Sequence, residues 1–226
     1  VGMRDIGKCR KHNEDAYYIS AGEDPTENLY LVAAGVGGCN AGEIASSCAI
    51  EGFLEHFWKE MKHAENDDML DLMTGAMAAA NRTVYEKSNS DREFAEMGTT
   101  IVAAAVREEK LYVAYVGDSR AYLFRKKEMQ PLTTDHSYVM ELVKMGSITR
   151  AIGIRDTVET DTVIHPVQKG DIVLLCTDGL SGMLKDEEMA KILSKRIALD
   201  KKAAILVEEA NRQGGHDNIS LILVEI

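Results

Sequence analysis

The stretch TTIVAAAVREEKLYVAYVGDSRAYLFR, residues 99–125, decides the fold. It contains three runs of β-forming residues, Thr99 to Val106, Lys110 to Val116 and Arg120 to Arg125, joined by the short turns Arg107-Glu108-Glu109 and Gly117-Asp118-Ser119. This spacing predicts an antiparallel meander. Towards the N-terminus the period changes: Ile44, Ala45, Cys48, Ala49, Phe53 and Phe57 recur at spacings of three and four, and Asp71 to Lys87 does the same through Leu72, Ala76, Ala79, Ala80 and Val84. Two amphipathic helices are expected there. Before them, Ala16 to Ser20 and Leu29 to Ala33 flank the turn-forming Gly22-Glu23-Asp24-Pro25 and predict a pair of strands. Beyond the meander, Tyr138 to Lys144 predicts a short helix, Val158 to His165 and Asp171 to Cys176 strands, Asp186 to Leu193 and Lys201 to Gln213 helices, and Ile219 to Ile226 a closing strand. Strands grouped in meanders and helices in consecutive pairs point to an α+β fold with antiparallel sheets, against the strict alternation of a doubly wound one. With no linker, repeat or low-complexity segment, residues 1–226 are expected to form a single domain.

The 226 residues carry 26 Lys plus Arg against 37 Asp plus Glu, a formal net charge of −11. That balance disfavours a surface built to grip nucleic-acid phosphate or anionic lipid. Hydrophobic residues at 45% and charged ones at 28%, with only 3 Pro, exclude collagen, coiled coil and low-complexity sequence. No apolar run approaches the roughly 20 residues that cross a bilayer, so no membrane partner is expected, and Val1 to Arg10 is polar and charged, unlike a secretory signal. Cys9, Cys39, Cys48 and Cys176 show no zinc-like spacing and are expected to be reduced thiols in a cytoplasm. Without a long heptad, a monomer is the default.

The acidic residues of interest lie where strands meet turns: Glu14 and Asp15, Asp118, Asp178, and Asp217. Asp-Gly and Gly-Asp pairs are first of all turn formers, so one such residue proves nothing. Four such turns converging at one edge of packed sheets would present the oxygen ligands that a hard divalent cation, Mg or Mn, requires. Ala34-Gly35-Val36-Gly37-Gly38 superficially suggests a phosphate-cradling loop, but no Gly-Lys-Ser/Thr follows and the GxGxxG spacing fails at Asn40. Close backbone approach suffices to explain those glycines. The six histidines show no HxxxH or HxH pairing, which argues against zinc; His12 and His216 stand near acidic turns, where an imidazole could act as a general acid. Ser119 and Ser181 lack the GxSxG framework of a nucleophilic serine.

Taken in order, these segments resemble the metal-dependent protein phosphatases of type 2C, the PPM family, in its short bacterial form. Residues Gly7 to Ala16 are similar to an opening R-x-x-N-E-D-A motif, Val32 to Glu43 to V-A-D-G-M-G-G-x-x-A-G-E, and Gly98-Thr99-Thr100 to G-T-T. Val116 to Tyr122, Leu132 to Ser137, Leu175 to Leu180 and Gly215 to Ile219 match V-G-D-S-R-A-Y, L-T-x-D-H-S, L-C-S-D-G-L and G-x-D-N-I. The resemblance implies a four-layer α-β-β-α sandwich with two central antiparallel sheets and metals held at one end of them. It implies hydrolysis of phosphoserine and phosphothreonine in a phosphoprotein by direct attack of water activated on a pair of Mn or Mg ions, without a phosphoenzyme. By motif, Asp178 and Asp217 would ligate one metal, Gly35 would offer its carbonyl to another, and Glu14 and Asp15 would hold metal-bound waters. Arg10 would clamp the substrate phosphate, Asn218 would orient its neighbour, and Asp118 with Asp178 would form a third metal site.

Two departures bear on activity. Where the family has a metal-bridging aspartate, this chain has Ala34, and losing a carboxylate shared by two cations should weaken at least one metal and lower turnover severely. The other ligand positions are intact, which points to a phosphatase impaired by a single Asp-to-Ala change; a non-catalytic pseudophosphatase that binds phosphoproteins or regulators is the alternative. Second, at Gly146 to Gly153 two motifs that the family separates by a flap of roughly 15 to 20 residues are fused, so a flap is expected to be missing near residues 149–150. A role in signalling with a Ser/Thr kinase partner follows by analogy; a third reading, a regulatory phosphatase acting on anti-sigma-factor antagonists, shares the chemistry and differs only in substrate.

Overall fold

Helices with one apolar stripe and strands that are apolar throughout require cover on both faces of each sheet. The computed structural model describes residues 1–20, 28–37, 41–62, 69–138, 147–148 and 150–226. Strands β1 (Gly2–Asp5), β2 (Asp15–Ser20) and β3 (Leu29–Val36) precede helices α1 (Ala41–Met61) and α2 (Met69–Ser88). A 3-10 turn over Arg92–Phe94 leads into β4 (Gly98–Thr99), β5 (Ile101–Arg107), β6 (Lys110–Val116), β7 (Arg120–Arg125) and β8 (Glu128–Pro131). Two short strands, β9 (Ser137–Tyr138) and β10 (Ser147–Ile148), pair with each other. Then come β11 (Asp161–Pro166), β12 (Ile172–Cys176), the helices α3 (Asp178–Ser181), α4 (Asp186–Leu193) and α5 (Leu199–Arg212), and β13 (Ile219–Glu225).

The strand pairings described are all antiparallel. One sheet runs β11-β6-β5-β3-β2 with β4 attached to β3, and the other runs β1-β13-β12-β7-β8. Helices α1 and α2 cover the outer face of the first through Phe53, Phe57, Met73 and Met77 against Leu31, Ile101 and Ala103. Helices α4 and α5 cover the second through Leu193 and Leu206 against Tyr122 and Leu174. Between the sheets, Val32, Val102 and Val113 pack with Leu123, Val173 and Leu175. The architecture is therefore the α-β-β-α sandwich, α+β in class. Truncating a ring such as Phe53, fully buried between helix and sheet, would cost about 3–5 kcal/mol.

Several expectations change. The meander is broken: β5 pairs with β6, but β7 crosses to the other sheet, where it joins β12 and β8. Because both faces of each sheet are dry, Ile101, Ala103 and Ala105 face the helices while Val102 and Ala104 face the opposite sheet, and no alternation betrays the crossing. The strand expected from Thr99 is interrupted at Thr100, whose polar groups serve Ala34 instead. The strand expected from Val158 begins at Asp161. Tyr138 lies in β9 rather than a helix, and the remainder of that expected helix, 139–144, lies outside the described residues, as do the turn at Gly22 to Pro25, Cys39 and Thr149 at the fused joint. Edge strands β1 and β8 escaped notice because GMRD and EMQP are polar and short. Among the described residues, no helix is long and apolar enough to cross a membrane, and Cys9, Cys48 and Cys176 carry free thiols.

Candidate active site

Strand ends and their turns from both sheets meet at one cavity of ≈ 140 Å³, lined by Arg10, Glu14, Asp15, Ala34, Gly35, Val36, Gly37, Thr100, Asp118, Asp178, Asp217 and Asn218. The structure thus brings together the residues expected to hold metal and phosphate, including the altered position 34, while His12 and His216, the candidate general acids, are not among the lining residues. A larger cleft of ≈ 520 Å³ between the β7–β8 turn and α4 has a different lining, Lys127 and Glu128 facing Asp186, Glu187 and Lys191, and shares no residue with this cavity.

The floor is built from β3. Gly35 admits no side chain, because a Cβ there would lie 2.0 Å from the Gly42 carbonyl oxygen and 2.7 Å from that of Glu14. Its N–H donates to the Glu14 carbonyl at 3.1 Å. The glycine therefore brings β3, the Glu14 loop and the start of α1 into backbone contact. The Glu14 carboxyl lies against Gly42 in the first turn of α1, where the helix dipole favours a negative charge. Ala34 is gripped from three sides: its N–H donates to Thr100 Oγ1 at 3.0 Å, and its carbonyl accepts from Thr100 N at 2.9 Å and Thr99 Oγ1 at 2.9 Å. Thr100 Oγ1 also shares a hydrogen bond of 2.7 Å with buried Ser119. Ser119 is thereby a structural hydroxyl rather than a nucleophile. Position 34 is held rigidly although it carries only a methyl group.

The walls carry the carboxylates. Asp15 opens β2 directly opposite Ala34, is 4% exposed, and accepts from Thr177 Oγ1 at 3.0 Å. Burial, reinforced by Asp178 and Asp217, outweighs that hydrogen bond and pushes its carboxyl up to about 7. Asp178, at the start of α3, is pushed up to about 6 by burial and then by Asp118 and Asp217, while the Gly179 N–H opposes. Asp118 is raised by burial and by Asp135. Among the described residues, Asp217 is the one cavity carboxylate paired with a cation, Arg10 Nη2 at 2.6 Å, in a pair that is half exposed. Asn218 donates its backbone N–H to Asp217 Oδ1 at 2.8 Å, and its side chain ties down the opposite loop: Oδ1 accepts from Glu14 N at 2.9 Å, and Nδ2 donates to the carbonyls of Ile6 at 3.0 Å and His12 at 2.9 Å. His12 contributes that carbonyl, and His216 Nδ1 lies 3.7 Å from Cys9 Sγ.

The donor set is all oxygen, which fits a hard divalent cation and no soft one. Three carboxyls raised by burial and mutual repulsion around one guanidinium describe a cavity short of positive charge. Among the described residues no three Asp, Glu, His or Cys side chains close around a single point, so the acids are spaced round the cavity with the Ala34 methyl in its wall. Sequence reasoning missed the roles of Thr99, Thr100, Ser119 and Thr177, although each lies inside a motif that had been recognised.

The family profile for protein phosphatase 2C matches residues 8–209. The chain belongs to the protein phosphatase 2C family. This phosphatase 2C is 36% identical over 236 aligned residues to the serine/threonine phosphatase Stp of Listeria monocytogenes, covering 98% of this chain and 93% of that one. It is 31% identical to the protein phosphatase PhpP of Streptococcus pneumoniae, covering 99% and 96%. Among solved structures, the serine/threonine phosphatase of S. agalactiae superposes with a TM-score of 0.89 at 33% identity, covering 100% of this chain and 98% of that one. The catalytic domain of the phosphatase PstP, solved in complex with 2 manganese ions, gives 0.85 at 31% identity, covering 100% and 96%.

Proposed function

We propose that this chain is a Mn- or Mg-dependent protein serine/threonine phosphatase impaired at Ala34. The observation that carries this reading is the single cavity holding Arg10, Glu14, Asp15, Asp118, Asp178 and Asp217 on a rigid floor, in a chain of this family. Residues 1–226 act as one catalytic domain, with phosphoserine or phosphothreonine of a phosphoprotein as substrate and a Ser/Thr kinase as the source of that substrate. Its setting is bacterial cytoplasmic signalling, and the chain works as a monomer.

Asp178 and Asp217 would hold one ion, the Gly35 carbonyl a second, and Asp118 with Asp178 a third, while Glu14 and Asp15 would accept hydrogen bonds from bound waters. When bound, the ions supply a nucleophilic water at neutral pH and neutralise charge on the phosphoryl oxygens. The residues do the rest. Arg10, 49% exposed at its side chain, turns its guanidinium from Asp217 to the substrate phosphate, where its planar fork matches two oxygens. That exchange would leave Asp217 free to hold an ion. Asn218 fixes the loop from Ile6 to Glu14, so Arg10 and Glu14 approach from a set direction. At position 34 a methyl group stands opposite buried Asp15, and the carboxylate that would balance two cations is absent.

The test is Mn-dependent hydrolysis of a phosphothreonine peptide and an aryl phosphate by the chain and by Ala34→Asp. Weak turnover that rises sharply in the variant supports an impaired phosphatase. The Ala34 methyl also favours a second reading, a pseudophosphatase that binds phosphoproteins. That reading gains if neither form hydrolyses while both bind the phosphopeptide.

A further inference from the structure

We propose that His136 is a positioning residue that sets the Asp118 turn, and through it the affinity of the cation site that includes Asp118; this rests on the proposed role of Asp118 as a ligand. The turn Gly117–Ser119 is where the chain leaves β6 in one sheet and enters β7 in the other, so neither sheet's ladder holds it. Gly117 has φ +107, and a Cβ there would fall 2.6 Å from Thr100 Cγ2, so the turn lies close against the cavity floor at a position that only glycine fits. His136 grips that turn twice. Its N–H donates to the Gly117 carbonyl at 3.0 Å, and its ring Nδ1 accepts from the Gly117 N–H at 3.1 Å.

Accepting at Nδ1 places the ring proton on Nε2, which lies 3.3 Å from Asp161 Oδ2 on β11. The other oxygen, Asp161 Oδ1, accepts from Arg150 Nη1 at 2.7 Å. The ring stacks on Tyr115 with centroids 5.1 Å apart and is 9% exposed, so it cannot swing away. On the other side of the turn, Arg120 forms a two-pronged pair with Asp135 at 2.8 and 2.7 Å. Asp118 therefore sits between two clamps from the segment 133–136, and only the His136 clamp continues to β11. In a metal site, residues that orient a ligand from behind typically change affinity 10–100-fold.

Two near-isosteric variants separate the contacts. In His136→Asn the amide oxygen replaces Nδ1 and keeps the Gly117 acceptor; in His136→Gln the terminal amide replaces Nε2–H and keeps Asp161 but gives up Gly117. Calorimetric Mn titration with Asp118→Ala as reference, together with hydrogen exchange of the Gly117 amide, reads both. The expected result is an Asp118 site weakened about tenfold in His136→Gln with faster Gly117 exchange, and a near-parental site in His136→Asn. Parental binding in both variants overturns the inference. So does equal weakening of both with a matching fall in melting temperature, which would make the ring a packing group for Tyr115. If Asp118→Ala removes no site, the ligand reading fails and takes this inference with it; if it removes one while His136→Gln binds normally, the positioning role alone falls.

Discussion

Replacing Ala34 by aspartate should destabilise the metal-free protein and stabilise the metal-loaded one, a reversal of sign that few surface changes would produce. Ala34 lies directly opposite Asp15 in the β2–β3 register, so the two Cβ atoms are separated by about 4.5–5.5 Å. Two carboxylates about 5 Å apart repel by about 3 kcal/mol at an effective dielectric of about 20. Asp15, pushed up to about 7 by burial, relieves part of that near neutral pH by binding a proton, which leaves about 1–3 kcal/mol. For a chain of this size each kcal/mol shifts Tm by about 2–4 °C, so metal-free Ala34→Asp should melt about 3–10 °C below the parent. A dication ligated by the carboxylate at position 34, with Asp15 holding a bound water, offsets the repulsion, and with saturating Mn the variant should melt above the parent. Because Thr99 and Thr100 already fix the backbone at 34, the new carboxylate needs no rearrangement, and turnover of a phosphothreonine peptide should rise at least about 100-fold. Thermal melts with Mn and with chelator, beside the turnover assay, decide it. A variant that melts like the parent in chelator and gains no turnover in Mn would refute the idea that position 34 is a lost cation ligand standing beside Asp15.

Thr100→Val removes the acceptor for the Ala34 N–H and the partner of Ser119, and should cost about 1–3 kcal/mol in denaturant melts, lowering Mn affinity as the floor loosens. Gly35→Ala places a Cβ 2.0 Å from the Gly42 carbonyl, so β3 and α1 must part; a loss of at least about 3 kcal/mol and of Mn binding is expected, and a parental melt would contradict the packing described. Asp171, its side chain 2% exposed, receives two hydrogen bonds from Arg125 and one from Gln168 N, and Arg125 holds its carboxyl below the usual range. Its folded pKa is depressed, so its stabilisation is complete above the unfolded value of about 3.9 and is lost as pH falls through the folded one. Asp171→Asn should therefore cost about 2–3 kcal/mol at pH 7 and flatten the acid side of the stability profile, as urea melts from pH 7 to 3 would reveal.

What the sequence made legible follows from how each signal is encoded. The cavity residues stand in motifs whose order along the chain is the order in which β2, β3, β6, β12 and β13 deliver their turns to one end of the sandwich, so the set Glu14, Asp15, Gly35, Asp118, Asp178 and Asp217 could be named before its geometry. The long helices were equally plain, because α1 and α2 each bury one stripe and expose the other. What stayed hidden was anything set by partners distant in the chain. Residues 99–125 read as three strands of one sheet since each is apolar on both faces; only the pairing of Leu175 with Ala121 and of Val116 with Ile101 reveals that Gly117–Ser119 spans the two sheets. Thr100 reads as one more β-forming residue, yet its hydroxyl is spent 66 residues away on Ala34.

The same reasoning explains why an alanine can occupy position 34 without collapsing the site. A bridging carboxylate and the strand that carries it are separable: backbone position comes from Thr99, Thr100 and the Gly35–Gly42 contact, while the side chain contributes only charge. Without metal, a methyl beside Asp15 is the less strained choice, since the cavity already holds more carboxyls than its one guanidinium can balance. The fold and the catalytic charge therefore pull in opposite directions at this residue, and the cation is what reconciles them. On the proposed role of position 34, a methyl there lowers activity while raising metal-free stability, the usual trade between function and stability.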